Sequence, residues 1–323
     1  MTQRQRPKVV AQADSGAGSA AGSWWISAMP SVFVLMWSSA FIAGVIGVDA
    51  GPPLLLVFAR FSIAGVVLAL VALATRAPWP RGRLLGHIMV TGLLIQAVQF
   101  GAFYVALNTG LPAAVVALMQ GLNPIVVALL ATVVLDERLG SLQWLGFALG
   151  GLGVALAVAG RVNFSVGGLL LCILGLLGLS VGTVYQKRFC PNMDLRSGTA
   201  VQFLVSVAPI GVLTLALEQP RVHSWSSFGA SIAWIVLVNS IGTFVLLNLM
   251  LRRSAASKVS ALFFLTPGVT AMLAWVLIGQ HLSALVVTGL VVGGAGVLLA
   301  TLKPKSRPGS PAEAGPEPVA KGQ

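Results

Sequence analysis

Apolar runs of about twenty residues, cut by short polar gaps, set the pattern of this chain. They fall at about 31–48, 54–75, 84–107, 111–135, 141–160, 167–186, 197–217, 228–251, 256–279 and 283–302. An α-helix rises about 1.5 Å per residue, so each run is long enough to cross roughly 30 Å of hydrocarbon. A backbone in lipid must satisfy its own hydrogen bonds, which leaves helices or a closed barrel. No run alternates with the period of two that barrel strands need. The pattern predicts ten transmembrane helices.

The polar interruptions repeat. In 111–160 two apolar runs are parted by Asp136-Glu137-Arg138, and the first is broken midway by Asn123-Pro124. The plan returns at 254–302, with Thr266-Pro267 in the middle and Gly279-Gln280-His281 at the hairpin. An offset of 143 residues lays Pro124 on Pro267 and Leu139 on Leu282, without a gap. It also lays Gly146, Gly150 and Gly153 on Gly289, Gly293 and Gly296. Such self-similarity marks a duplication. Five spans per half is an odd number, so the second half enters the membrane the other way up. The expected fold is therefore an all-α integral membrane protein of ten transmembrane helices in two inverted-topology five-helix repeats. The repeats are 31–160 and 167–302, between a cytoplasmic tail, 1–30, and a disordered cytoplasmic tail, 303–323.

Composition agrees: 57% of residues are hydrophobic, only 9% are charged, and the mean hydropathy is +0.92. The net charge of +12 raises the question of nucleic acid. Its distribution answers it. Seventeen of the twenty basic residues fall in the two tails, in the gaps after runs 2, 4, 6 and 8 or, for Lys258, at the start of run 9, all on one face of the membrane. Arg161 and Arg221 lie on the other face, and Arg60 lies within a span. By the positive-inside rule both termini are cytoplasmic, and the charge meets anionic lipid heads rather than nucleic acid. Residues 1–23 carry basic residues without an apolar core, which reads as a tail and not a cleaved signal. Cys172 and Cys190 stand about 27 Å apart along a helix, too far for a disulfide. No spacing suits zinc or a phosphate loop, so neither metal nor cofactor is expected. The oligomeric state is not legible.

The matched halves, WSSAF at 37–41, ARF at 59–61, NPIVVALLATVVLDERL at 123–139 and the glycine-spaced fifth run resemble the EamA-type transporters of the drug/metabolite transporter superfamily. The resemblance covers about 31–302. It implies movement of small metabolites, amino acids or drugs across a bacterial inner membrane, through a central cavity lined by helices 1, 3, 4, 6, 8 and 9. Family members often carry Gly-Glu at the hairpins after helices 4 and 9; here stand Asp136-Glu137 and Gly279-Gln280. Related small multidrug exporters keep a glutamate in the first helix, where this chain has none. All eight acidic residues sit in tails or at helix ends, which excludes a carboxylate proton relay deep in the membrane.

Candidate solute-binding residues follow from polarity inside apolar helices. Pro124 and Pro267 each remove a ladder hydrogen bond, and the freed carbonyl has to face protein or a wet cavity. Gln120 and Asn123 share a face of helix 4, and Gln96, Gln99 and Phe103 share a face of helix 3. Asn239, the repeat partner of Gln96, and Thr243 lie in helix 8; Thr266 precedes the second proline. Trp37 and Phe41 add aromatic surface, and helix 6 adds Ser180, Thr183 and Tyr185. Neutral amides beside aromatic rings suit a small polar or zwitterionic solute. Such amides also serve as glue between helices. Arg60 either snorkels to the outer rim or contacts an anionic group of the solute. The glycines of helices 5 and 10 read as packing faces. Gly178-x-Ser180-x-Gly182 matches the serine-hydrolase elbow, but that motif needs a strand–turn–helix and lies here in an apolar helix. The expected function is a secondary transporter of a small polar metabolite or amino acid, working by alternating access in the inner membrane and exporting its solute. A non-transporting membrane receptor is the alternative class.

Overall fold

The computed structural model describes residues 17–135, 140–159, 165–243, 245–246, 249–250 and 262–301. The Asp136-Glu137 hairpin, Arg138, Arg161, Arg252, Arg253, Lys258 and both chain ends fall outside them. The described residues are helical and contain no strand. In chain order they form α1 (Ala17–Ala50), α2 (Pro53–Ala74), α3 (Gly82–Asn108) and α4, itself two pieces, Ala113–Gly121 and Asn123–Leu135. Next come α5 (Ser141–Ala159), α6 (Val166–Phe189) and α7 (Leu195–Leu217). The last three are α8 (Trp225–Thr243), α9 (Leu262–Ile278) and α10 (Ala284–Thr301). Seven of these helices, α1 to α4 and α6 to α8, are long and apolar enough to cross a membrane; α5, α9 and α10 are shorter apolar helices. All ten coincide with the apolar runs.

Local chemistry sets the ends. Pro53 opens α2, where a missing N–H costs nothing. Ser165 Oγ accepts from the Gly168 N–H at 3.0 Å to start α6. Asp194 accepts from the amides of Arg196 and Ser197 at 2.9 and 3.3 Å to start α7. Gly279 stops α9 in the left-handed conformation (φ 61°), so that the Gln280 N–H reaches the Ala274 carbonyl at 3.0 Å. Two expectations shift. α1 begins at Ala17 rather than near 31, continuing a helix already nucleated by the apolar run. α4 stops at Gly121, turns at Leu122 and restarts at Asn123, as the missing N–H of Pro124 requires.

Repeat-related helices pack on each other, and both contacts run antiparallel. The most extensive helix pair is α5 with α10. A Cβ on Gly146 would stand 2.6 Å from the Gly296 carbonyl oxygen, and one on Gly153 2.6 Å from that of Gly289. α2 lies along α7 in the same sense, with Gly65 against Leu204, Gly211 against Phe58, and the Phe61 and Phe203 rings 5.4 Å apart. The polarity is inside out relative to a soluble protein: Leu215 is 82% exposed while Gln99 is 2%. Cys172 and Cys190 are both free, as expected, and both are buried.

At the C-terminal end of α7 the Glu218 carboxylate accepts from the Leu54 and Leu55 amides at 2.8 and 3.0 Å, capping α2. Burial pushes this carboxyl above its ordinary range, against the pull of those two amides. Asp194 moves the other way, held below the ordinary range by the hydrogen bond from Arg196 and by the amides it caps.

The signs separate under titration. Folding with Asp194 releases protons, so its contribution is full above the ordinary carboxylate range and is lost as pH falls through its lowered value. Folding with Glu218 takes up protons, so its contribution is full at low pH and declines as pH rises through its raised value. Thermal melts should show Asp194→Asn flattening the acid limb of the stability profile and Glu218→Gln flattening the decline towards neutral pH. Identical profiles for both variants would contradict these environments.

The glycine seam gives a second expectation. Gly153→Leu overpacks α5 against α10 and should cost about 1–3 kcal/mol in detergent unfolding. Gly151→Leu, on a face where a Cβ meets nothing within 4 Å, should cost far less.

Candidate functional site

A cavity of about 290 Å³ lies among α1, α2, α3, α4, α6, α7 and α8. That is close to the lower end of the range for ligand pockets and fits a small metabolite. α3 supplies its longest wall, a helical stripe of Gln96, Gln99, Phe100, Phe103, Tyr104 and Leu107. Trp37, Ala40 and Phe41 of the WSSAF segment face it from α1, and Val116 and Gln120 from α4. Asn239 and Ser240 enter from α8, and Thr199, Gln202 and Phe203 from α7.

The wall of α3 is not a regular α-helix. Leu93–Val98 is π-helical, and so is Ile235–Thr243 in α8. The 143-residue offset carries 93–98 onto 236–241, so the two repeats are distorted at the same place. Gln96 and Asn239, repeat partners, lie within these segments and both line the cavity. Such wide turns occur mostly as local bulges at functional positions. On the other side of the α3 bulge, Gly178 and Gly182 of α6 let the backbones close up; a Cβ on Gly178 would stand 3.0 Å from the Leu94 carbonyl oxygen.

The polar groups are not saturated. Gln99 Nε2 donates to Gln120 Oε1 at the long distance of 3.5 Å. The side-chain oxygens of Gln96, Gln99 and Ser240 have no partner although they are buried. Arg60, eighth residue of α2, is only 3% exposed. It does not snorkel. Its Nη1 donates to the Tyr104 hydroxyl at 3.3 Å, its guanidinium lies 4.1 Å from the centre of the Phe100 ring, and its Nε has no partner. A charge buried within a span costs about 2.5–3.5 kcal/mol on insertion scales, so this placement is expensive.

The expected residues divide. Trp37, Gln96, Gln99, Phe103, Gln120, Asn239 and Arg60 come together on the cavity. Asn123, Ser180, Thr183, Tyr185, Thr243 and Thr266 are not on its wall. Ser180 Oγ donates to Asn123 Oδ1 at 2.9 Å, tying α6 to the break in α4. Thr183 Oγ1 donates to the Leu179 carbonyl and Thr243 Oγ1 to that of Val238, each within its own helix. The Tyr185 hydroxyl meets His87 Nδ1 at 2.8 Å, towards the far end of α6. Thr266 is buried with an unpaired hydroxyl, and its carbonyl accepts from Ser38 Oγ at 3.3 Å. The two helix breaks do meet: Pro267 lies 3.5 Å from where a Cβ on Gly121 would be.

The lining also departs from the expected helices. None of its residues comes from α9, because Trp37 covers Phe263, the rings packing edge to face at 4.8 Å. α2 and α7 contribute instead, through Arg60 on one side and Gln202 on the other. Gln202 Nε2 donates to Gln186 Oε1 at 3.2 Å beside Met193, forming a polar rung towards the α6–α7 connection. The sequence held a signal for Phe100 and Tyr104, which stand four and eight residues beyond Gln96 on the same helical face. Gln186 lies near the end of α6, where polar residues are ordinary; Gln202, eighth residue of α7, is a buried amide within an apolar run and carried the same signal as the other amides.

A model of the EamA-like transporter family matches residues 23–159 and again 166–302. The chain belongs to this family. Known EamA relatives include the uncharacterized transporter YdfC of Bacillus subtilis, 26% identical over 84% of this chain and 90% of that one. A probable amino-acid metabolite efflux pump of Salmonella typhimurium is 25% identical, over 82% of this chain and 91% of its own. A probable terminal-alkyne amino-acid exporter of Streptantibioticus cattleyicolor is 28% identical, over 82% and 90%. A crystal structure of a protein 20% identical superposes with a TM-score of 0.60, covering 84% of this chain and 95% of that one, and shares the fold. This EamA protein is thus a transporter and a multi-pass membrane protein, and its family is one of carriers rather than hydrolases.

The hydrolase motif has a structural role that can be checked. Ser180→Ala should cost about 0.6 kcal/mol in thermal unfolding, the average for a hydrogen bond between membrane helices. A fluorophosphonate serine probe should label neither the native protein nor the variant; labelling at Ser180 would restore the catalytic reading.

Proposed function

We propose that this protein is a secondary carrier that exports a small polar metabolite or amino acid across the inner membrane by alternating access. Ten helices cross the bilayer, the second five inverted relative to the first, with both termini in the cytoplasm. The observation that carries the reading is the pair of π-helical segments at matched repeat positions, each presenting an amide, Gln96 or Asn239, to one cavity. Inverted repeats place a solute site where the halves meet, at irregular backbone tolerated only beside a cavity. The antiparallel seams of α2 with α7 and of α5 with α10 support the inversion.

The ends of the cavity support a state open towards the cytoplasm. Its lining reaches Gln186, Met193 and Leu195, which the proposed topology puts on the cytoplasmic side. On the outer side Glu218 caps α2, and the His223 N–H donates to the Ala50 carbonyl at 2.8 Å, closing α7, α8 and the outer ends of α1 and α2 together. A cavity open to the cytoplasm is where an exporter loads and an importer releases, so the export reading rests on the relatives. Two of the relatives bear exporter or efflux names for amino-acid compounds, which fits the size and neutral amides of the site.

Counterflow of labelled amino acids and small polar metabolites in proteoliposomes tests this. The purified protein should exchange at least one of them. Gln96→Leu and Asn239→Leu should remain folded and each weaken that exchange about tenfold, the loss of one hydrogen bond at the site. Full exchange in both variants would remove the proposed site, and a folded protein that exchanges nothing would leave the receptor class in its place.

A further inference from the structure

We propose that Arg60, Tyr104 and Phe100 form a carboxylate-binding subsite in the cavity, which makes a carboxylate-bearing solute the substrate class of this carrier. The inference rests on the carrier reading for what moves, but the subsite is a matter of binding alone.

Arg60 is the starting point. Its guanidinium is buried on the cavity wall within a span, and among the described residues the sole ion pair is Arg196 with Asp194, so no carboxylate neutralises it. Its position is held without one. The Phe100 ring lies 4.1 Å from its central carbon and the Phe61 ring 5.9 Å, which offers the cation aromatic faces. Tyr104 accepts from Nη1 at 3.3 Å and so retains its own hydroxyl proton. Nε–H of Arg60 remains unsatisfied. The unspent groups at this point are a guanidinium donor and a phenol donor with full positive charge behind them. A carboxylate supplies two acceptor oxygens and the missing negative charge, and charge-assisted pairs of this kind are the strong ones.

Comparison of the halves shows that this chemistry belongs to one side only. The repeat equivalent of Arg60 is Phe203, which also lines the cavity; those of Gln99 and Gln120 are Gly242 and Phe263. A residue needed to hold the symmetric scaffold would have a counterpart in the second half. Arg60 has none. The arrangement fits a solute with one anionic end and a less polar remainder lying against Phe203, Phe41 and Trp37.

Amides alone do not identify such a solute, since an amide presents either its oxygen or its nitrogen after a flip. A guanidinium presents donors only, so it selects anions and rejects cations and neutral isosteres.

The test uses the purified full-length protein and matched pairs of probes: L-leucine with L-leucinamide, phenylacetate with phenylacetamide and hexanoate with hexanamide, plus sodium chloride. Binding is read by calorimetry and by the melting temperature. At least one acid should bind, and its amide should bind about ten- to a hundredfold more weakly, the loss of a charge-assisted contact. Arg60→Gln should abolish the preference for acid over amide, Arg60→Lys should keep part of it, and Tyr104→Phe should weaken the acid less than Arg60→Gln does. The empty Arg60→Gln protein should melt no lower than the native one, because an uncompensated buried charge is removed; a merely structural arginine would lower it. Equal binding of acid and amide to the native protein, unchanged acid binding in Arg60→Gln, or no acid bound at all would each overturn the subsite. Chloride producing the same shift as the acids would make it a site for inorganic anions and overturn the substrate class. Should Arg60→Gln fail to fold, the native acid–amide comparison and Arg60→Lys still decide. Exchange of neutral solutes in proteoliposomes, unaffected by Arg60→Gln, would sink this subsite and keep the carrier. Selective acid binding without any exchange would do the reverse.

Discussion

Hydrocarbon offers no partner to an N–H or C=O group, and that single constraint shapes every part of this fold. It makes each span a helix and drives the large apolar side chains outwards. It also makes any irregular backbone costly unless protein or a wet cavity receives the freed groups. Four of the irregularities come in two repeat-related pairs. Two π-helical segments face the cavity with amide side chains. Two proline breaks, at Pro124 and Pro267, come together where α4 meets α9. The first is held by Ser180 on Asn123 and the second by Ser38 on the Thr266 carbonyl. At these four places the distorted backbone lies beside polar partners.

Glycine allows the remaining helices to be rigid. Without a hydrophobic driving force between them, membrane helices associate by close contact of small residues and by hydrogen bonds. The stripe of Gly146, Gly150 and Gly153 meets its own repeat copy, Gly289, Gly293 and Gly296, as two antiparallel helices pressed backbone to backbone. α2 and α7 do the same with phenylalanines and smaller residues. These two seams join the repeats, and α2 and α7 also reach the cavity that α1, α3, α4, α6 and α8 surround, through Arg60, Gln202 and Phe203.

Much of this was legible in the sequence, and the parts that were not have physical reasons. Length and polarity place ten apolar helices because the bilayer thickness is a fixed ruler. The glycine periodicity read as packing, and GLY-to-GLY contact between α5 and α10 is its form. Gln96, Gln99, Gln120 and Asn239 were found because an amide inside an apolar run has few places to go. Ser180, Thr183 and Thr243 misled for the same reason: a hydroxyl can also be satisfied within or between helices, and composition does not distinguish the two outcomes. The π-helical turns left no trace, since a wide turn depends on what packs against it and not on propensity. Arg60 was visible as the one charge in a span, but its burial depends on Phe100 and Tyr104, which only the approach of α3 to α2 supplies.

Duplication explains the scaffold, and divergence explains the site. The proline breaks, the glycine seams and the π-helical turns recur in both halves. The lining is not. Arg60 faces the side where its equivalent is Phe203, and Gln99 and Gln120 have Gly242 and Phe263 as theirs. A symmetric lining would present the same groups from both walls and favour no orientation of a bound solute. An asymmetric one favours a single orientation, because the buried cation stands in the first repeat alone and its equivalent is a phenyl ring. Both halves bend, and one carries the charge.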